Sequence, residues 1–208
     1  MRQLLSDPDT FFERETRQGR LRGPVLVVSL VGISFALQSV AIFVAVEDAL
    51  DINSILTVNG ILFILEPFFA WGVLTILFFV LAKIWAPTVN FGRLFRLTGW
   101  GFLPVVLSGI VWSIGSYLAF RGRTVPEHVR RGLLESEREG YEILLEEASA
   151  DSTLLVGLIV GGLFIFAAGY FWTYAVAYST DLPRRKIILV TAIPTLLYFV
   201  WSVTRIFI

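Results

Sequence analysis

One carboxylate interrupts an otherwise long apolar stretch: Glu66, followed by Pro67, within residues 55–86. Three uses are open to it. Deep in a bilayer an ionisable group is costly and marks a proton or cation path. At a helix entrance it caps backbone amides, and beside another span it accepts a hydrogen bond. Ser108, Ser113 and Ser116 lie in a second apolar run, which holds no base to activate a hydroxyl, so they are read as groups that pack or bond back to their own helix. The chain has no Cys and one His, His128, which excludes disulfides, thiolate chemistry and histidine-cluster metal sites. Glu127, Glu135, Glu137, Glu139, Glu142, Glu146, Glu147 and Asp151 crowd one segment. They lack the Asp-x-Asp-x-Asp-Gly spacing of a calcium loop and read as a solvated helix face. No glycine-rich phosphate loop is present. The residues predict no catalysis, no cofactor and no metal.

The elements that would position these groups are greasy on all sides. Of 208 residues, 56% are hydrophobic, and they fall into runs of about twenty, the length of a membrane span. The fold class expected is all-α, a polytopic membrane protein with five transmembrane helices at about 24–46, 67–86, 97–120, 154–178 and 187–206. Residues 1–23 form a separate tail and 24–208 the membrane domain. The first apolar run follows a 23-residue tail and has no small-x-small cleavage site, so it is expected to stay as a span. Residues 55–65 are expected to form a short outer helix, with Glu66 capping the second span; the other parse places Glu66 well inside the membrane.

In the tail, Asp7-Pro8-Asp9 is a helix start and Gly19 a helix stop. Phe11 and Phe12 fall on one side, with arginines around and after them. Two placements follow: phenyl rings in the acyl boundary with guanidiniums at the phosphates, or rings packed on the protein's own loops. In Asn90–Leu118, Arg93 and Arg96 anchor one end of the third span, Gly99 and Gly101 loosen its entry, Trp100 joins an aromatic belt and Pro104 kinks it. Pro194 kinks the fifth span. Residues 121–151 are expected to form one or two amphipathic helices across the ends of the spans. In the fourth span Gly157-x-x-x-Gly161 allows close helix approach, within the chain or between two copies.

Net charge is zero, yet the charges are sorted by segment. With the N-terminus inside, interior segments hold eleven basic and five acidic residues, and exterior segments six basic and eleven acidic. The positive-inside rule therefore predicts N-terminus inside and C-terminus outside. That topology accounts for the interior arginines without a nucleic-acid partner.

Three places carry a family resemblance. Asp7-Pro8 with Phe11-Phe12 resembles a Pro-x-x-Phe-Phe lead. Gly99-Trp100-Gly101-Phe102-Leu103-Pro104 is similar to a Gly-Tyr-x-x-x-Pro entry into a third span, with Trp100 where Tyr is usual. Arg184-Arg185-Lys186 followed by Pro194 resembles a basic turn before a last span. Together they resemble the Yip family of five-span Ypt/Rab-interacting membrane proteins, in its prokaryotic form. Arg20 replaces the acid of the Asp-Leu-x-Gly-Pro signature of eukaryotic members, so partner binding is not carried onto Leu21–Pro24. The 121–151 insertion is longer than the usual loop.

The resemblance implies a non-enzymatic membrane protein linked to vesicle traffic and membrane shaping. The function expected is organising membrane or recruiting partners, with lipid, a protein at the cytoplasmic face, or a second copy as partner. The cytoplasmic membrane of a prokaryote is the expected location, or an endomembrane in a eukaryote. The alternative is a small channel or transporter using Glu66 and the kinks at Pro104 and Pro194. The candidate functional residues are Glu66, Gly99, Trp100, Pro104 and Pro194; Gly157, Gly161, Phe11 and Phe12 are candidate interface residues.

Overall fold

A computed structural model describes residues 2–46, 53–123 and 134–204. Among them the chain forms nine helices: α1 Arg2–Ser6, α2 Pro8–Gln18, α3 Arg22–Val46, α4 Asn53–Lys83, α5 Phe91–Gly101, α6 Leu103–Phe120, α7 Leu134–Ser149, α8 Ser152–Ala177 and α9 Arg184–Thr204. Five segments are long and apolar enough to cross a bilayer: Arg22–Val46, Gly60–Lys83, Phe91–Phe120, Ser152–Ala177 and Arg184–Thr204. The outward faces of these helices show why water is the wrong surrounding. Phe69 is 74% exposed, Leu163 62% and Trp201 58%, and they stand among many other exposed apolar side chains, far beyond the patch a soluble monomer tolerates. The fold is an all-α, five-span membrane bundle.

The spans pack around α3 and α6. The broadest interfaces are α3 with α6, α6 with α8, and α3 with α4; α9 lies against α8 and α4. One polar seam ties α3 to α6: Gln38 Nε2 donates to Ser116 Oγ at 3.1 Å, and Ser113 Oγ to the Ser34 carbonyl at 3.3 Å. Ser113 also bonds back to Gly109 at 2.8 Å. Ser113 and Ser116 thus find partners on their own helix or the next one, whereas Ser108 is buried by packing alone, its hydroxyl without a partner among the described residues.

One boundary differs from the sequence parse. Helix α4 runs without a break through Glu66 and Pro67. Proline removes one backbone donor, but within a bundle neighbouring helices make the loss tolerable. Pro67 is buried, and Gly32 of α3 lets α4 approach so closely that a Cβ there would lie 2.5 Å from the Ile64 carbonyl oxygen. Glu66 is therefore a helix-interior residue, and it does not cap a span.

The third span, in contrast, is split. Phe102 separates α5 from α6, and its amide bonds to Gly99 at 3.3 Å in a tightened turn. Pro104, which has no amide to donate, follows in the first turn of α6.

At one end of the bundle lie α2 and the α4–α5 and α8–α9 connections; an isolated antiparallel bridge between Val89 and Thr180 ties the two connections together. The arginines and lysines of 14–22, 83–96 and 184–186 gather there. At the other end α7 covers the bundle, burying Leu144 and Ala148 against Ile42, Val46, Ala119, Phe120 and Leu154. Arg123 closes that end, paired with Asp151 at 3.1 Å and Glu147 at 3.5 Å. His128, Glu127, Val129 and Leu133 lie outside the described residues.

Candidate functional site

The basic end carries the most developed constellation of side chains, and it begins with the tail. Asp7 caps α2 by accepting the Thr10 amide at 3.2 Å, Pro8 occupies the first turn, and Gly19 ends the helix at φ 68°. That left-handed geometry is one that glycine adopts freely. Capped at both ends, α2 turns Phe11 and Phe12 toward the bundle, and both are fully buried, together with Leu4 of α1. They pack with Leu97, Phe171 and Ala175. The phenyl rings therefore enter the protein's own core, against Leu97 of α5 and Phe171 and Ala175 of α8, and not the acyl boundary.

The contacts are specific. Phe11 meets Trp100 edge-on, centroids 5.0 Å apart, while Phe12 stacks on Tyr174 at 5.6 Å and Tyr178 at 6.5 Å. The Tyr178 hydroxyl donates toward Asp9, lying 3.1 Å from its carbonyl and 3.1 Å from its Oδ1. Trp100 is wedged from behind: a Cβ on Gly23 would come within 2.2 Å of the indole.

Below this layer, two more indoles hold the split span. Trp71 Nε1 donates to the Phe95 carbonyl at 2.7 Å, and Trp172 Nε1 to the Thr98 carbonyl at 3.0 Å. Since the Phe102 amide has turned to Gly99, the Trp172 indole serves the carbonyl that the helix break leaves under-satisfied. Gly99 and Gly101 are where these rings fit. A Cβ on Gly99 would meet Pro24 at 2.7 Å and Trp71 at 2.9 Å, and one on Gly101 would meet Trp172 at 2.2 Å. Gly99 seats the Trp71 ring and Trp100 meets Phe11, so these two positions pack the tail and α4 against the split span. Trp71 and Trp172 escaped the sequence reading. Their only signal was a tryptophan buried deep in an apolar run, where an indole N–H needs a partner.

The other candidates lie elsewhere. Pro104 is buried between spans. Gly157 faces Gly115 of α6, where a Cβ would lie 3.3 Å from the Gly115 Cα, and Gly161 receives Trp112. The Gly-x-x-x-Gly face is thus occupied within the chain. Glu66 and Pro194 share an apolar groove of about 380 Å³ between α4 and α9, lined also by Phe69, Leu197, Tyr198 and Trp201. Pro104 does not line it. Trp201 Nε1 donates to Glu66 Oε1 at 3.0 Å, the inter-span hydrogen bond that was one of the three uses open to this carboxylate. Lys83 is seventeen residues further along the same helix, about 25 Å at about 1.5 Å per residue, so Glu66 sits toward the opposite interface. We expect Glu66→Ala to cost about 1 kcal/mol through the orphaned indole and Glu66→Gln, which keeps an acceptor, to cost close to nothing; thermal unfolding in detergent reads both.

Hydrogen bonds from Thr10, side chain first and backbone second, hold the Asp7 carboxyl below its ordinary value of 3.8. The folded state therefore prefers the ionised cap. Its contribution is present in full above the unfolded value and is lost as pH falls through the lower folded one. A spin label on an introduced cysteine at Gln18 should accordingly gain mobility below pH about 4, and Asp7→Asn should remove that step.

Among the described residues no group of three or more His, Cys, Asp or Glu is placed to hold a metal ion. Compared with known families, residues 2–204 match the family model described as Yip1 domain. No curated protein and no solved structure matches the chain.

Proposed function

We propose that this chain, which belongs to the Yip1 family, is a non-enzymatic scaffold that organises membrane and recruits partners at its basic end. The reading places that end in the cytoplasm, following the positive-inside rule, with the N-terminus inside and the C-terminus outside. The observation that carries it is the docked α2: its apolar face is spent on the bundle, so its polar face is free to be presented. On that face Arg17, its side chain 77% exposed, pairs with Glu13, and Arg14, 46% exposed, pairs with Glu15 at 3.5 Å. A helix held by Phe11, Phe12 and Trp100 displays these ion pairs in a fixed arrangement at the membrane surface, which suits a protein partner of complementary charge pattern. In a prokaryote the membrane concerned is the cytoplasmic one; in a eukaryote it is an endomembrane.

The test pairs one measurement on purified full-length protein in liposomes with one in cells. Electron microscopy reports vesicle shape, and cell crosslinking from α2 reports partners and self-association. Altered curvature or a reproducible crosslinked partner supports the scaffold role. Unchanged vesicles, with no partner and no second copy captured, would falsify it.

A further inference from the structure

Beside the docked helix, the α4–α5 and α8–α9 connections enclose a polar cleft of about 640 Å³. Two cations line it, Lys83 and Arg93, against one acid, Asp181. Thr88 Oγ1 lies 3.4 Å from the Asp181 carboxylate and donates to it. Lys83 Nζ gives one bond to the Pro87 carbonyl at 3.1 Å and Arg93 gives one to the Tyr178 carbonyl at 3.2 Å. An ammonium has three donors and a guanidinium five, so each cation retains donors while being held in place.

Ser179 also lines the cleft. It is 5% exposed, and its hydroxyl has no hydrogen-bond partner among the described residues. Its oxygen is sealed from the cleft, just as the equally unpartnered hydroxyls of Ser39, Ser108 and Ser202 are sealed within the spans, so anion binding here rests on the two cations. The Ser179 amide donates to Val176 at 3.1 Å and its carbonyl accepts from Asn90 at 3.2 Å, which holds the backbone of the two connections together.

We propose that this cleft binds a phosphate group, with Lys83 and Arg93 supplying charge and their remaining N–H donors. Excess positive charge and a cluster of donors are what a phosphate oxygen needs. The bearer that best fits is a membrane phospholipid. Ile84 is 63% exposed, Phe91 43% and Trp85 40%, so apolar side chains flank the cations at the end of a span, where acyl chains meet headgroups. The site shares with the scaffold reading only the premise of a bilayer, and it stands if no partner is ever captured.

Native mass spectrometry of the full-length protein in detergent tests it, with phosphatidylglycerol, phosphatidylcholine and glycerol 3-phosphate as separate probes. Phosphatidylglycerol should be retained over phosphatidylcholine, whose choline places a cation beside Lys83 and Arg93. Lys83→Gln and Arg93→Gln should each weaken retention about tenfold, with thermal stability in detergent unchanged for the exposed lysine. Binding of glycerol 3-phosphate with the same losses would support the phosphate site and assign it a water-soluble source. Equal retention of the two lipids with no glycerol 3-phosphate binding, or wild-type binding of every probe by both variants, overturns the proposal.

Discussion

Phe12→Ala is expected to release the N-terminal helices from the bundle while the five spans stay folded. Phe12 is wholly buried and stacks on two tyrosines. Truncating such a ring costs about 3 kcal/mol or more. The loss falls almost entirely on the docking of α1 and α2, because the tyrosines remain anchored in α8 and its C-terminal cap. The undocked population should therefore rise about a hundredfold. Limited proteolysis at Arg20 and Arg22, which follow the helix, reads this directly. Cleavage should accelerate while the melting temperature of the spans barely moves. Unchanged cleavage would mean that the helix is held by something other than its aromatic face. Leu5→Ala serves as control, since Leu5 is 68% exposed and contributes little.

Gly161→Ala is expected to destabilise the bundle, whereas Gly72→Ala should leave it unchanged or slightly stabilised. A Cβ at Gly161 would lie 2.1 Å from Trp112 Nε1 and 2.4 Å from its Cδ1. Trp112 cannot yield cheaply, being 2% exposed and stacked on Phe35 at 5.9 Å. Overpacking of this kind costs about 1–3 kcal/mol. Gly72 has nothing within 4 Å of an added Cβ, so only the gain in helix propensity is felt, up to about 1 kcal/mol. Thermal unfolding of the two variants in the same detergent should shift in opposite directions or leave Gly72→Ala level with wild type. If both fall equally, the α6–α8 contact is not the one described. The opposed signs also separate packing within the chain from packing between copies: a glycine serving a dimer would change the oligomeric state, not the monomer's melting.

What the sequence disclosed follows from the physics of the solvent. Runs of about twenty apolar residues have few interpretations, so the spans, the sorted charges and the capped tail helix with Asp7 and Gly19 were legible. The inward faces were not. In a soluble protein, polar residues mark the outside of a helix. Around a lipid-embedded helix both sides are apolar, so periodicity carries little information. Phe69 and Phe78 occupy the same helix, yet one is 74% exposed and the other 0%, and nothing in their types distinguishes them. Small residues and tryptophans were the available cues. They indicated that Gly99, Gly101, Gly157 and Gly161 matter, but not that Trp71, Trp172, Gly115 and Trp112 are what they meet. Pro67 misled for a related reason. In water a mid-helix proline commonly ends a helix; in a bundle α4 runs on through it. Phe11 and Phe12 were legible as one apolar face. Whether that face met lipid or protein depended on a recess between α5 and α8 that only the folded chain reveals.

The natural absence of cysteine makes topology the most direct test. Single cysteines introduced at Arg20, Pro87, Arg121 and Ser149, all exposed positions, can be labelled in intact cells with a maleimide that does not cross the bilayer. The account predicts that Arg121→Cys and Ser149→Cys react from outside, while Arg20→Cys and Pro87→Cys react only after permeabilisation. Labelling of all four from one side would contradict five crossings, and labelling of Arg20→Cys and Pro87→Cys alone in intact cells would place the basic end outside and refute the proposed cytoplasmic scaffold.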